Sequence, residues 1–185
     1  GIQLAASDIN LTQNGCTASD KNYLAKLRWA TGNLKSTGST NYIWAPSQTE
    51  TGYYYTWYST YTGNKTTNNT DPCSKLNTAY YGTGWRTPSE NDYIPLSRCT
   101  DKVLTNGGMW FMNKSIGIFL LAAGTIGNGG GSATSNPNYS TAKTGQYWTS
   151  KKDGENRGIS FTFNPSSTFM FSDYQATGIP VRCVK

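Results

Sequence analysis

The 185 residues suit one domain, and their composition, 36% hydrophobic and 14% aromatic but rich in Gly, Ser, Thr and Asn, favours strands and turns over helices. The net charge is +6, but the Lys and Arg residues are scattered, which excludes the concentrated basic patch that a nucleic-acid partner requires. The chain has no His, which excludes Ser-His-Asp and Cys-His catalysis, and no apolar run is long enough to insert into a membrane.

The first part of the chain has weak secondary-structure signals. We expect residues 1–22 to form an N-terminal segment that packs on a domain formed by residues 23–185. Residues 23–29 alternate partly between apolar and polar side chains, which predicts a strand with one buried face. The aromatic run at residues 53–57 predicts either a strand in the core or an aromatic platform for a sugar ring.

The strongest local signal predicts a helix over residues 88–97. Thr87 suits the N-cap, Pro88 the first helical position and Glu90 the third, which together resemble a capping box. A proline at position 95 is expected to shorten or bend this helix. The side chains expected to face the core are Tyr93, Ile94 and Leu96.

The second half of the chain predicts a series of antiparallel strands. Residues 108–113 and 118–122 form the first pair, around a turn at Lys114 and Ser115. A long loop rich in Gly, Ser and Asn follows at residues 124–141. Further strands are predicted at residues 146–150, 158–163, 168–172 and 179–184, with a hairpin turn at residues 164–167.

Four cysteines without a CxxC spacing argue against a zinc ribbon and fit two disulfides formed in an oxidising compartment. Three pairings are possible, and four free buried thiols are the alternative. We favour pairing Cys73 with Cys99, at the end of the predicted helix, and Cys16 with Cys183, which would tie the two ends of the domain together.

Catalytic and metal chemistry finds little support in the sequence. The ten carboxylates are dispersed, and no phosphate-binding glycine motif of the Gly-x-x-x-x-Gly-Lys type occurs. The glycine run at residues 127–131 precedes Ser-rich sequence and not a helix start. We therefore expect no enzyme activity, no cofactor and no metal site.

Seven short motifs, ordered along residues 23–185, resemble one protein family. They are Trp29-Ala-Thr-Gly-Asn-Leu34, Gly52-Tyr-Tyr-Tyr-Thr-Trp57, Asp71-Pro-Cys-Ser-Lys-Leu76, Gly84-Trp-Arg-Thr-Pro-Ser-Glu90, Phe119-Leu-Leu-Ala-Ala-Gly124, Tyr147-Trp-Thr-Ser150 and Val181-Arg-Cys-Val184. The pattern is similar to the Fibrobacter succinogenes major paralogous domain and to domains of Bacteroidetes fimbrial or lipoprotein adhesins. The resemblance implies an α+β, C-type-lectin-like fold, mainly antiparallel β, with one or two helices, long loops and paired N- and C-terminal strands.

The same resemblance implies a cell-surface adhesion or ligand-binding module within a larger bacterial surface or fimbrial-tip protein. Its partners would be a host or bacterial surface protein or a glycan, with other fimbrial subunits as further partners. The alternatives within this superfamily are a variable protein of a diversity-generating retroelement, a formylglycine-generating enzyme and a structural spacer. A calcium-dependent lectin site is not expected, because Ser135-Asn-Pro-Asn138 departs from the Glu-Pro-Asn type of motif and Trp-Asn-Asp is missing.

The resemblance also directs the search for a binding site to residues 147–174, the segment that varies in retroelement-diversified members. Tyr and small polar residues there resemble an antibody paratope. Trp85 and Trp148 lie within the scaffold motifs and are expected in the core. The residues predicted to contact a ligand are Asn156, Arg157, Thr168, Met170, Ser172, Asp173, Tyr174 and Gln175.

Overall fold

A computed structural model describes residues 1–9, 15–36, 41–60, 67–105, 107–126, 131–132 and 144–185. Within these residues the chain is α+β and mainly antiparallel β, as predicted, but it has three short α-helices where one or two were expected. The α-helices are α1 (Ala18–Leu24), α2 (Thr78–Tyr81) and α3 (Glu90–Arg98), and single 3-10 turns lie at Ala6–Asp8 and Pro72–Lys75. The predicted motif at residues 135–138 lies outside the described residues, as does most of the predicted loop at residues 124–141.

The described strands form four small antiparallel sheets. The strands are β1 (Leu34–Ser36), β2 (Tyr42–Trp44), β3 (Tyr53–Tyr55), β4 (Asp101–Thr105), β5 (Gly108–Asn113), β6 (Ile116–Leu121), β7 (Gly131–Ser132), β8 (Gly145–Asp153), β9 (Arg157–Phe163), β10 (Thr168–Tyr174) and β11 (Ile179–Pro180). The strand orders in the four sheets are β1-β2, β11-β3-β7, β4-β5-β6 and β10-β9-β8.

The strand predicted at residues 23–29 is wrong, because α1 occupies the beginning of this segment. Thr17 accepts a hydrogen bond from the Asp20 amide at 3.0 Å, and the Asp20 carboxylate accepts one from the Thr17 amide at 3.1 Å. This reciprocal cap satisfies backbone amides that lack partners at a helix N-terminus. The cap therefore favours a helix here over the strand that the partial alternation of residues 23–29 predicted. The predicted boundary between the N-terminal segment (residues 1–22) and the domain (residues 23–185) falls inside α1. The division of the chain into these two parts stays a prediction.

The helix predicted at residues 88–97 exists, but it begins two residues later. Ser89 is the N-cap of α3, and Asp92 completes its capping box. Thr87 does not cap the helix, because its hydroxyl donates to the Asp71 carboxylate at 2.7 Å. As predicted, the side chains of Tyr93 and Leu96 are buried, whereas that of Ile94 is only half-buried.

The strands predicted between residues 108 and 172 are confirmed, with small changes of length. The turn between β5 and β6 contains Lys114 at a φ of 52°, in the left-handed region. In the turn between β9 and β10, the Asn164 side chain accepts hydrogen bonds from the amides of Ser166 and Ser167 at 2.8 and 2.9 Å. The final strand is shorter than predicted, since β11 has two residues.

The expectation of two disulfides is confirmed, but both favoured pairings are wrong. The bonds join Cys16 to Cys99 and Cys73 to Cys183. Helix α1 packs against α3, so Cys16, just before the cap of α1, lies beside the C-cap of α3. The 3-10 turn at Pro72–Lys75 places Cys73 against the closing segment instead.

Two hydrophobic clusters lie on opposite sides of the sheet formed by β8 and β9. One side carries Tyr147 and Phe161, and the other carries Trp148, whose indole N–H donates to the Tyr55 carbonyl at 2.7 Å. Trp85 and Trp148 are both buried, as predicted. In the aromatic run at residues 53–57, Tyr54, Tyr55 and Trp57 are buried, so this run is core and not a sugar platform.

Arg182 is fully buried, and its hydrogen bonds join separate segments of the chain. The Arg182 guanidinium donates to the Asn33 side chain at 2.8 Å and to the carbonyls of Phe119 and Ala30 at 2.9 and 3.1 Å. A further bond, at 3.3 Å, reaches Gln48 Oε1. Burial lowers the pKa of Arg182 from its ordinary value. Its partners are neutral oxygens, so the cation is stabilised by hydrogen bonds and not by an ion pair.

A buried carboxylate at the start of α3 predicts acid sensitivity. Asp92 accepts two hydrogen bonds from the Arg86 guanidinium, at 2.6 and 2.9 Å, and another from the Tyr23 hydroxyl at 2.9 Å. Burial alone would raise the pKa of Asp92, but the hydrogen bonds from Arg86 and Ser89 together outweigh it, so the net pKa lies below its ordinary value. The stabilisation is therefore present above about pH 4 and is lost as the pH falls through the folded-state pKa.

We expect Asp92→Asn to lower the free energy of unfolding by about 2 kcal/mol at pH 7, because one partner of a buried, charge-assisted bond is removed. Urea unfolding at pH 7, 5, 4 and 3 measures this difference, which should narrow at the acid end as the wild-type carboxyl takes up a proton. The exposed Asp101→Asn is the matched control, with changes within about 0.5 kcal/mol throughout. A gap for Asp92→Asn that stays constant from pH 7 to pH 3 contradicts the assignment.

Candidate functional site

Strand β10 is an outer strand of its sheet and pairs along its whole length with β9, from Thr168 opposite Phe163 to Tyr174 opposite Arg157. Because successive side chains of a strand point to opposite faces, the predicted contact residues do not share one face. Thr168, Met170, Ser172 and Tyr174 lie on one face of β10, and Phe169, Phe171 and Asp173 lie on the other.

Six of the eight predicted residues come together at one end of the β9–β10 hairpin. We call this group the hairpin-end cluster; it consists of Asn156, Arg157, Ser172, Asp173, Tyr174 and Gln175. The Arg157 guanidinium lies over the Tyr174 ring, 4.2 Å from its centroid, and donates to the Ser172 carbonyl at 3.0 Å. The cation therefore stands in a fixed position beside a ring that is 59% exposed.

Backbone and amide contacts fix the rest of the hairpin-end cluster. The Gln175 amide donates to the Asn156 carbonyl at 2.9 Å, and its side chain donates to the Arg157 carbonyl at 3.0 Å. The Gln175 carbonyl accepts a hydrogen bond from the amide of the buried Trp57 at 2.9 Å. The cluster is therefore tied directly to the hydrophobic core, which reduces the ordering that binding would require.

Two carboxylates lie at this end of the hairpin: that of Asp173, which belongs to the hairpin-end cluster, and that of Asp153 at the end of β8. Asp153 accepts a hydrogen bond from the Ser172 hydroxyl at 2.5 Å. Asp173 accepts from the Tyr174 amide at 2.9 Å and from the Thr177 hydroxyl at 3.1 Å. Asp153 lies opposite Arg157 in the β8–β9 register, so this end of the hairpin offers both donors and acceptors to a polar ligand.

Thr168 and Met170 lie apart from the hairpin-end cluster. Met170 packs against the core cluster that contains Phe161, and the Thr168 hydroxyl is 2.6 Å from the Ser97 hydroxyl of α3. Both line a small cavity of about 190 Å³, together with Ile94 and Arg98. Helix α3 covers this half of the sheet, which sequence alternation within β10 does not reveal.

Sequence reasoning missed Phe169 and Phe171, which we call the phenylalanine pair. Their exposed fractions are 41% and 46%, unusual for large apolar side chains. They lie opposite Thr162 and Ser160 of β9, on the face that also carries Asp173. The period-2 pattern of β10 could have found them, but the predicted contact residues are, Met170 apart, polar or tyrosine.

The phenylalanine pair provides contact area for a partner, and the hairpin-end cluster provides hydrogen-bonding groups. In the described part of the chain, no group of three or more His, Cys, Asp or Glu side chains converges as metal ligands would. Among the same residues, no helix is both long and apolar enough to cross a membrane. Comparison with protein-family models, curated proteins and solved structures gives no match.

Proposed function

We propose that the chain is an extracellular adhesion or ligand-binding module with a C-type-lectin-like fold, part of a larger bacterial surface or fimbrial-tip protein. The seven ordered motifs support this proposal through the resemblance they carry. Two disulfides fit an oxidising compartment such as the cell surface. The pairing of Trp29 with both Ile2 and Val184 fits the paired terminal strands that such a fold requires.

The observation that carries the proposal is the combination of exposed aromatic side chains and fixed polar groups on β9 and β10. The phenylalanine pair and Tyr174 are all at least 41% exposed, yet they stand on a strand that is hydrogen-bonded along its whole length. Exposed aromatic area on a rigid element is typical of a binding surface, because a partner gains apolar burial without ordering the strand. Within the hairpin-end cluster, Asp173 shares the face of the phenylalanine pair and adds hydrogen-bond acceptors there, whereas Tyr174 and the Arg157 cation lie on the opposite face of β10.

The cysteines favour binding over the formylglycine-generating alternative. That chemistry uses a pair of cysteines to bind copper, whereas all four cysteines of this chain are joined in disulfides. Cys73, Cys99 and Cys183 are also at most 2% exposed. Disulfide bonding and burial favour a structural role for the cysteines, and we propose no catalytic step for the chain.

To test the proposal, the chain is immobilised and exposed to a panel of fibronectin, collagen, fibrinogen and mucin, and to a glycan array. We expect at least one partner to bind, and Phe169→Ser/Phe171→Ser to weaken that binding about tenfold or more, because truncation of aromatic anchors removes most of the energy at such surfaces. Surface plasmon resonance measures the change.

The matched control is Val103→Ser/Ile116→Ser, which removes two apolar side chains of similar exposure, 46% and 43%, from another sheet. This control should bind as the wild type does. The proposal is overturned by a clean negative across the panel, or by equal losses in the two double variants when both melt like the wild type.

A further inference from the structure

A second recess lies outside the β8–β9–β10 sheet, between β2 and α2. Its volume is about 430 Å³, within the range of roughly 300–1,000 Å³ that is usual for small-ligand sites. Four aromatic side chains line it, Trp44, Tyr80, Tyr81 and Trp85, and the described lining includes two cationic side chains, Arg28 and Lys185. None of the residues predicted to contact a ligand contributes to it.

The aromatic wall is fixed by mutual packing. The centroid of Trp44 lies 4.5 Å from that of Tyr81 and 4.6 Å from that of Trp85. The Trp85 indole N–H donates to the Tyr81 carbonyl at 2.8 Å, which joins the wall to α2. Tyr80, 82% exposed, extends the wall outward, with its centroid 5.2 Å from that of Tyr81. A ligand therefore meets a preformed apolar surface.

The two cations are held at the same recess. The backbones of Arg28 and Lys185 pair through hydrogen bonds of 2.7 and 2.9 Å, which places both side chains at the recess. The Lys185 ammonium lies 4.8 Å from the centroid of the Trp85 ring. No acidic side chain belongs to the described lining, and neither cation forms an ion pair with a described Asp or Glu side chain.

We propose that this recess binds an acidic saccharide, with the aromatic wall against the C–H face of a sugar ring and its carboxylate at Arg28 and Lys185. The two cations repel a cationic ligand such as a quaternary ammonium group, which an aromatic cage alone would accept. A neutral sugar leaves both cations without an ion-pair partner, whereas a carboxylate forms charge-assisted hydrogen bonds with them. An acidic peptide satisfies the cations but offers no flat apolar ring to the wall. This inference is independent of the function proposed for β9 and β10.

The test is a titration of the chain with methyl β-glucuronide and methyl β-glucoside, which share a ring and differ in the carboxylate. Tryptophan fluorescence and amide NMR shifts report the binding. We expect the glucuronide to bind about tenfold more tightly than the glucoside, and 1 M NaCl to reduce that preference. Arg28→Gln should reduce the preference, because Lys185 alone remains to meet the carboxylate, and Tyr80→Ala should weaken both ligands severalfold, since Tyr80 is exposed and its loss leaves the core intact.

Lys75→Gln is the matched charge control, an exposed lysine outside the recess, and Tyr174→Ala is the matched aromatic control from the hairpin-end cluster. Both should keep the wild-type affinity for the glucuronide, and so should Phe169→Ser/Phe171→Ser, which separates this result from the proposed function. Equal binding of the two methyl glycosides, binding unchanged in Arg28→Gln, or hexaglutamate binding as tightly as the glucuronide overturns the inference.

Discussion

Replacing both Cys73 and Cys183 with alanine is expected to lower the free energy of unfolding by about 4–5 kcal/mol. Their disulfide spans a sequence separation of 110 residues, so its loss returns considerable freedom to the unfolded chain. Both residues are at most 1% exposed and belong to one hydrophobic cluster, so the change also leaves a small cavity. A typical domain is stable by only about 5–15 kcal/mol, so this loss brings the fold close to its limit.

Urea unfolding of the oxidised proteins measures this effect, with Cys16→Ala/Cys99→Ala as the matched variant. That second bond spans 83 residues, so its removal should lower the free energy of unfolding slightly less, by about 4 kcal/mol. Peptide mapping without reduction provides the pairing itself. A fragment that joins Cys73 to Cys99 contradicts the structure, as does a change below about 1 kcal/mol for either double variant.

The second large effect is expected for Arg182→Met, which should cost about 4 kcal/mol or more. Methionine has a similar length but no donors, so the buried oxygens of Asn33, Phe119 and Ala30 lose their hydrogen bonds from the guanidinium. Each unsatisfied buried acceptor costs roughly 1–3 kcal/mol. Lysine is no substitute either, since a single ammonium lacks the planar fork that reaches these acceptors.

Thermal and urea unfolding of Arg182→Met, Arg182→Lys and Arg98→Met test this expectation. Arg98 is the control, because its side chain is 50% exposed and its contact with Asp20, at 3.8 Å, is a long surface ion pair. Arg98→Met should change the free energy of unfolding by less than about 1 kcal/mol. The role given to the guanidinium is contradicted if either Arg182→Met or Arg182→Lys is as stable as the wild type.

The parts of the fold that the sequence predicted are those specified by local signals. Alternation predicted β9, apolar and aromatic runs beside turn residues predicted β5 and β10, and the turn residues Asn164–Ser167 specified a hairpin whose hydrogen bonds lie within four residues. Helix α3 followed from cap chemistry, although Ser89 and not Thr87 supplies the cap. That shift depends on Asp71, which is distant in sequence and engages Thr87.

The parts that the sequence did not predict depend on contacts between distant segments. Both disulfide pairings follow from the packing of α1 on α3 and from the position of Cys73 beside the last segment. The buried Arg182 reaches partners in three separate segments, and no local pattern announces them. The recess beside Trp44 likewise combines residues from β2, α2 and the closing segment.

The predicted site was partly placed by the sequence. Six of its residues meet in the hairpin-end cluster because they flank the same end of one hairpin, a relation that strand order alone predicts. Thr168 and Met170 lie towards the turn end of β10, where Thr168 contacts α3 and Met170 packs against the core. The phenylalanine pair was missed because the predicted contact residues were, Met170 apart, polar or tyrosine, whereas an outer strand can also expose apolar side chains.

The most direct test of the proposed binding surface is hydrogen–deuterium exchange of the chain with and without its tightest ligand from the panel. Strand β10 is an outer strand, so its amides that face away from β9 exchange with solvent unless a partner covers them. We predict slower exchange concentrated in residues 156–175 when the ligand is bound. Protection confined to other segments, such as the β4–β5–β6 sheet, with residues 156–175 unchanged, contradicts the proposed surface.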